Sequence, residues 1–241
     1  MVRKSNTFTF VSTMNQEYFD VVGADMINSF LNYTEDFDLR VYAENINTAM
    51  PIDHRIDYYD WNISCKSNWL EYTNKTTDNK NQKFAKKGFA FIHAMKTVTT
   101  EYLIWIDADM EFLKDIDADI ILGTIRKNLI GLFDHSYLGR GVDGYSAESG
   151  YVILNTTHKN YKKFVQLYEN YYNMPTKPEG IENWWDGQIC MLAASKFKKV
   201  HNLSNYKINP LSHTPINHSY LGKYITHHKG KKAKIKIKAF Q

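Results

Sequence analysis

Short apolar runs alternate along this chain with longer stretches whose apolar residues recur at helical spacing. Runs at residues 7–12, 39–43, 102–106, 129–133 and 151–154 predict buried strands, because each is shorter than an ordinary helix. Phe19, Val22, Met26, Ile27 and Phe30 mark one face of a helix over residues 18–31. The same spacing predicts helices over 81–98, 116–125, 159–172 and 185–194, with Met174-Pro175 stopping the one that ends at 172. Residues 45–80 are polar and irregular, and Trp61 and Trp69 are their expected anchors.

Strands alternating with helices predict an α/β protein. The expectation is a single Rossmann-like domain over 1–241, with a mostly parallel central sheet, helices on both faces and a basic tail from about 227. No internal repeat or flexible linker divides the chain. A hydrophobic fraction of 43% is enough for a sizeable core. The net charge of +4 is too mild to imply nucleic acid by itself, and much of the excess sits in residues 229–238. Cys65 and Cys190 form neither a disulfide framework nor a metal-binding spacing, which fits a reduced cytosol. The first six residues lead into a strand rather than a signal sequence, and no apolar run approaches the ~18 residues of a membrane span. Sequons such as Asn62-Ile63-Ser64 and Asn155-Thr156-Thr157 are expected by chance in an Asn-rich chain.

Candidate chemistry begins where the strand at 102–106 runs into Asp107-Ala108-Asp109. Carboxylates two residues apart on an extended strand share a face. A turn after the strand lets both reach one divalent cation, one directly and one through water. Hard cations take oxygen ligands and often share a substrate phosphate. Ligands of open α/β sheets also sit outside the carboxyl ends of strands. The plain alternative is a surface aspartate pair.

Four other segments carry possible partners. Thr13, Asn15 and Tyr18, at the end of the first strand, suit a nucleotide base and ribose, or simply cap a helix. Lys83, Lys86 and Lys87 either aim an ammonium at a phosphate or sugar, or form a solvated helix face. Glu148-Ser149-Gly150 and Trp184-Trp185-Asp186-Gly187-Gln188 offer carboxylates, a close backbone approach at the glycine, and aromatic faces for a sugar. Their plain reading is a helix cap beside core tryptophans. In Tyr224-Ile225-Thr226-His227-His228-Lys229-Gly230-Lys231-Lys232, a histidine after an apolar strand can complete a metal shell, and lysines can neutralise phosphate. A histidine-rich tail is otherwise incidental.

The order of these motifs, T-x-N-x-x-Y, a lysine-bearing helix, Y-L-I-W-I-D-A-D, E-S-G-Y-V-I-L-N, D-G-Q and H-H-K-G-K-K, resembles that of the GT-A glycosyltransferases. Among these, it looks most like the retaining, glycogenin-like family, over residues from about Thr7 to Lys234. The resemblance implies that Asp107, Asp109 and His227 bind Mn²⁺ or Mg²⁺. It implies that Thr13, Asn15 and Tyr18 hold the base and ribose, and that Lys86 faces the donor. Asp186 and Gln188 would lie near the transferred sugar, and Gly230 and Lys232 near the diphosphate. The chain departs from the family pattern in three places: Ala233 replaces the late lysine, with Lys232 and Lys234 on either side; Glu148 replaces an asparagine; and His228 stands beside His227.

The implied activity is metal-dependent transfer of a sugar from a nucleotide-diphosphate sugar, a UDP-sugar by analogy, to a hydroxyl acceptor with retention of configuration. If the enzyme inverts, Asp186 or Glu148 becomes the base. The rival readings are a nucleotidyltransferase or nucleotide-sugar hydrolase on the same metal site, and a non-catalytic nucleic-acid-binding protein. The alternating Lys234, Ile235, Lys236, Ile237 and Lys238 put lysines on one face of a strand. Such a face suits an anionic acceptor, either modified phage DNA or an acidic polysaccharide, or else it blocks edge pairing. The expected setting is the cytoplasm of a bacterial or phage-infected cell.

Overall fold

A computed structural model describes residues 7–134, 147–179, 181–204 and 214–228. Gly230, Lys232 and the lysine alternation after them lie outside the described residues. The strands are β1 (Phe8–Asn15), β2 (Asp38–Glu44), β3 (Ile56–Asp60), β4 (Tyr102–Ile106), β5 (Met110–Phe112), β6 (Ile130–Asp134), β7 (Ala147–Asn155), β8 (Val200–Asn202) and β9 (Ile225–His227). The helices are α1 (Gln16–Tyr18), α2 (Ala24–Tyr33), α3 (Trp61–Ser64), α4 (Lys66–Thr73), α5 (Asn79–Thr97), α6 (Ala118–Leu122), α7 (Tyr161–Asn173) and α8 (Asp186–Ser195).

Seven strands form one sheet in the order β3-β2-β1-β4-β7-β6-β8. The pairs β3–β2, β2–β1, β1–β4 and β6–β8 are parallel, whereas β7 runs antiparallel to both β4 and β6. The sheet is therefore mostly parallel. Strand order reverses at β1, since the chain builds outwards to β3 and returns on the other side as β4. That reversal opens a crevice at the carboxyl ends of β1 and β4, where ligands of such sheets bind.

The sheet is covered on both faces, which explains why β4 reads as an unbroken apolar run. Leu103 and Trp105 face a core built with α5, α7 and α8, through residues such as Phe89, Phe164 and Leu192. Ile104 and Ile106 face the other core, with Met26, Ile27 and Phe30 of α2 and Ile121 of α6. Phe10, Phe30 and Phe112 meet edge to face at 5.5–5.7 Å, each such pair contributing about 1 kcal/mol beyond burial. Among the described residues, no helix is long and apolar enough to cross a membrane.

The segment 45–80, expected to be irregular, contains β3, α3 and α4. β3 lies at the sheet edge with one buried residue, Ile56, so it carries little apolar signal. Trp61 and Trp69 do anchor the segment: their indoles donate to the carbonyls of Lys86 and Gln82 on α5. The helix expected over 18–31 is interrupted by a π-helical stretch at Phe19–Gly23. The one expected over 116–125 is only Ala118–Leu122, started by the Asp117 cap. A second, two-stranded sheet pairs β5 with β9, which places Met110 opposite His227.

Candidate active site

A cleft of about 700 Å³ opens at the strand-order reversal, within the size range of small-molecule sites. β1 ends in it with Thr13 and Asn15, β4 delivers Asp107 and Asp109, and α5 supplies a wall of lysines. Asp107 leaves β4 with its backbone N–H bonded to the Gly150 carbonyl at 2.9 Å, and the chain turns so that Met110 N–H donates to the Asp107 carbonyl at 3.1 Å. Past this turn the carboxylates of Asp107 and Asp109 both line the cleft.

β9 completes the cluster. One potential ligand atom each from Asp107, Asp109 and His227 lie within 4.8 Å of one another. The His227 side chain is 1% exposed. Its Nε2 lies 3.0 Å from Oδ1 of Asp109, yet neither ring nitrogen has a hydrogen-bond partner of good geometry. A buried imidazole left in that state is costly, and a cation between it and the carboxylates would satisfy it. Two carboxylates and an imidazole form a donor set suited to a hard or borderline divalent ion. The residues present therefore fit a divalent metal.

His228, the residue after β9, turns from the cluster, and its Nε2 lies 2.6 Å from Glu111 Oε2. His227 itself is held by Asn217, which accepts from its N–H at 2.7 Å and donates to its carbonyl at 3.0 Å. Gly150 makes the approach of β9 possible: a Cβ there would lie 2.9 Å from both His227 Cε1 and Met110 Cε.

Behind the cluster, Lys87 joins the two acidic positions. Its ammonium donates to Asp107 Oδ1 at 2.6 Å and lies 3.0 Å from Asp186 Oδ2. It also donates to the Ser149 carbonyl at 2.7 Å. The Ser149 hydroxyl donates to Asp186 Oδ2 at 2.5 Å, and the Trp105 indole donates to Asp107 Oδ1 at 2.9 Å. Burial disfavours the Lys87 ammonium, but Asp107 and Asp186 outweigh it and hold its pKa above the ordinary value. Burial likewise pushes Asp107 up, and Lys87, then His227, bring it below the usual carboxylate range.

Thr13, Asn15 and Tyr18 all line the cleft. Thr13 donates to the Tyr42 carbonyl, and Asn15 caps α1 by accepting from the Tyr18 N–H at 2.9 Å. The half-exposed Tyr18 has its phenol pKa pushed up by burial and then by Asp109 and Asp107. Lys86 also lines the cleft but pairs with Glu44 and lies over the rings of Trp61 and Trp69. Glu148 is buried in the cleft wall, with Oε1 accepting from the Gly150 N–H at 3.2 Å.

Asp186 is the first residue of α8, where the helix N-terminus favours an acid. Gln188 turns away: its Oε1 accepts from the Asn183 N–H at 2.8 Å, which ties down the loop before α8. Lys87 is the residue that sequence reasoning passed over in favour of Lys86. The sequence held no signal to choose between them, because apolar residues stand three and four positions after each: Phe89 and Ala90 after Lys86, Ala90 and Phe91 after Lys87.

No family model matches the sequence, and no curated protein does. Solved structures do. The chain is similar to mouse xyloside xylosyltransferase 1 in its apo form (TM-score 0.56, 10% identity, 93% of this chain and 98% of that one). It is similar to the bifunctional glycosyltransferase WbbM in its apo structure (TM-score 0.58, 12% identity, 95% of this chain and 46% of that one). It is also similar to the galactosyltransferase LgtC in complex with donor and acceptor sugar analogues (TM-score 0.53, 11% identity, 92% of this chain and 87% of that one). These three do not single out the glycogenin-like branch that the sequence resembles. What they share with this chain is architecture, the α/β fold of the GT-A glycosyltransferases.

Proposed function

We propose that the chain is a metal-dependent glycosyltransferase acting on a nucleotide-diphosphate sugar, most simply a UDP-sugar, in the cytoplasm. The observation that carries this reading is the convergence of Asp107, Asp109 and His227 in the cleft at the strand-order reversal. Asp107, Asp109 and His227 would hold Mn²⁺ or Mg²⁺, which as a Lewis acid stabilises charge on a leaving diphosphate. Thr13, Asn15 and Tyr18 form the wall that suits a base and ribose.

Lys87 keeps Asp107 ionised and fixes Asp186 beside it. With Lys87 and Ser149 both bonded to one Asp186 oxygen, that carboxylate is better placed to orient a sugar hydroxyl than to take a proton. This favours retention over an inverting mechanism with Asp186 as base. The acceptor would be a hydroxyl compound. The polyanionic acceptors, modified DNA or an acidic polysaccharide, rest on the lysine alternation at 234–238, which is sequence evidence alone.

The test is a scan of UDP- and GDP-sugars with Mn²⁺, measuring release of nucleoside diphosphate with and without EDTA. Metal-dependent turnover of one donor, abolished in Asp109→Ala, is the expected result. Release of pyrophosphate instead would favour a nucleotidyltransferase, and turnover undiminished by EDTA would overturn the metal assignment.

A further inference from the structure

The end of the sheet away from the cleft carries a second chemical signature. Arg126 and Lys127 follow α6, Lys159 precedes α7, whose first turn holds Lys162 and Lys163, and Lys196, Lys198 and Lys199 follow α8. All eight are exposed. Among the described residues, none of them is ion-paired. The three segments that supply them, 120–133, 149–168 and 187–204, contain no aspartate or glutamate. In a chain of 26 acidic residues that is a marked segregation of charge.

The fold brings the three segments together. The Leu129 N–H donates to the Lys199 carbonyl at 2.9 Å, and the Asn155 N–H to the Leu129 carbonyl at 3.0 Å. Phe197, between Lys196 and Lys198, packs its ring 6.1 Å from Phe164, next to Lys163. His158 is held below its ordinary pKa by burial and then by Lys159 and Lys199, and His201 by burial and then by Arg126. Both histidines therefore feel the pooled charge. Asn155 is in register with Tyr102, at the start of β4, whereas the cleft lies beyond Ile106 at its end.

Beside this patch is a depression of about 450 Å³ between α5 and α7. Met95, Val98 and Val165 give it apolar walls, Thr99 and Thr156 add hydroxyls, Lys96 and Glu169 form an ion pair in its lining, and Lys162 joins it to the basic surface. A basic field joined to an apolar pocket suits an anionic amphiphile better than a nucleic acid. Seven of the eight cations are lysines, which meet phosphate as point charges rather than reading base edges. None of the exposed large aromatics, Tyr18, Phe84 and Tyr220, belongs to these segments, so stacking platforms for bases are missing from them.

We propose that this pole docks on an anionic lipid surface, with the lysines on headgroup phosphates and the cleft opening away from the bilayer. The proposal does not depend on the catalytic reading, because its test measures binding alone. Full-length protein is co-sedimented with phosphatidylcholine vesicles and with vesicles containing about 30% phosphatidylserine, at low and moderate salt. The parent should partition onto the anionic vesicles only, and less so as salt rises.

The variant Lys162→Gln/Lys163→Gln/Lys198→Gln/Lys199→Gln keeps the lysines of 229–238, so loss of binding is assigned to this pole. A lysine near such a surface contributes roughly fivefold, so the variant should partition at least ~10-fold less. Its melting temperature reports folding. Should the quadruple variant unfold, the two lysine pairs changed separately give the same reading at about half the effect on a logarithmic scale. Undiminished partition of the variants, equal binding to phosphatidylcholine alone, or salt-sensitive binding to duplex DNA without binding to anionic vesicles would each overturn the proposal.

Discussion

Lys86 and Lys87 are neighbours on α5, and the ~100° between successive helical residues decides which one meets the aspartates. Lys87 has a side chain 15% exposed and sits between Asp107 and Asp186, whereas Lys86 is 30% exposed and pairs with Glu44 at the rim. Removing the cation from between buried Asp186 and half-buried Asp107 is more damaging than removing a rim partner. Lys87→Met should therefore destabilise by about 3 kcal/mol or more, and Lys86→Met by about 1 kcal/mol or less. Denaturant unfolding of the two variants checks this, and equal losses would mean that Lys87 does not bridge the pair.

His227 gives a pH dependence of definite sign. Burial disfavours its charged form, but Asp109, then Asp107 and Glu148, raise its pKa above the ordinary 6.5. Without metal, the contact with Asp109 stabilises the fold fully below 6.5 and is lost as pH rises through the raised value. Metal binding has the opposite dependence, because the proton must leave. Mn²⁺ affinity should fall roughly tenfold per pH unit once His227 is mostly protonated, with uptake of metal releasing about one proton there. Calorimetry in buffers of different ionisation heat measures both quantities. Proton release of zero throughout would remove His227 from the ligand set.

At the scale of elements, the site depends on β9 reaching β5. The sequence showed an apolar strand followed by two histidines, but not which strand it would pair with, because the pairing joins residues 110–112 to 225–227 across nearly half of the chain. Gly150 on β7 leaves the room for that pairing. Gly150→Val should push the His227 and Met110 side chains away and lower metal affinity by at least ~10-fold, with a loss of about 1–3 kcal/mol in stability from overpacking. Titration with Mn²⁺ alongside thermal melting separates the two effects; unchanged affinity would mean that β9 does not need the space. Long elements such as α5 were visible in the sequence because their periodicity repeats over several turns. β3, β5 and β8 were not, since partly exposed strands of three to five residues are too short to show such a repeat.

For the whole molecule, donor binding across the strand-order reversal should stabilise the entire sheet. UDP with Mn²⁺ at a hundred times its Kd would add about 2.7 kcal/mol, which for a domain of this size raises Tm by roughly 5–10 °C. Thermal melting with UDP, with Mn²⁺ and with both measures this, and a shift with UDP that persists in EDTA would count against a metal-held diphosphate. The sequence by itself determined the α/β alternation, the double burial of β4 and the aspartates at its end, because these follow from local periodicity and from where an apolar run stops. Only the tertiary structure decided that β7 runs antiparallel, that His227 rather than His228 joins the aspartates, that Lys87 rather than Lys86 bridges them, and that eight scattered cations share one pole. Each of these rests on a contact between residues far apart in the chain or on the rotation of one side chain, and local pattern encodes neither.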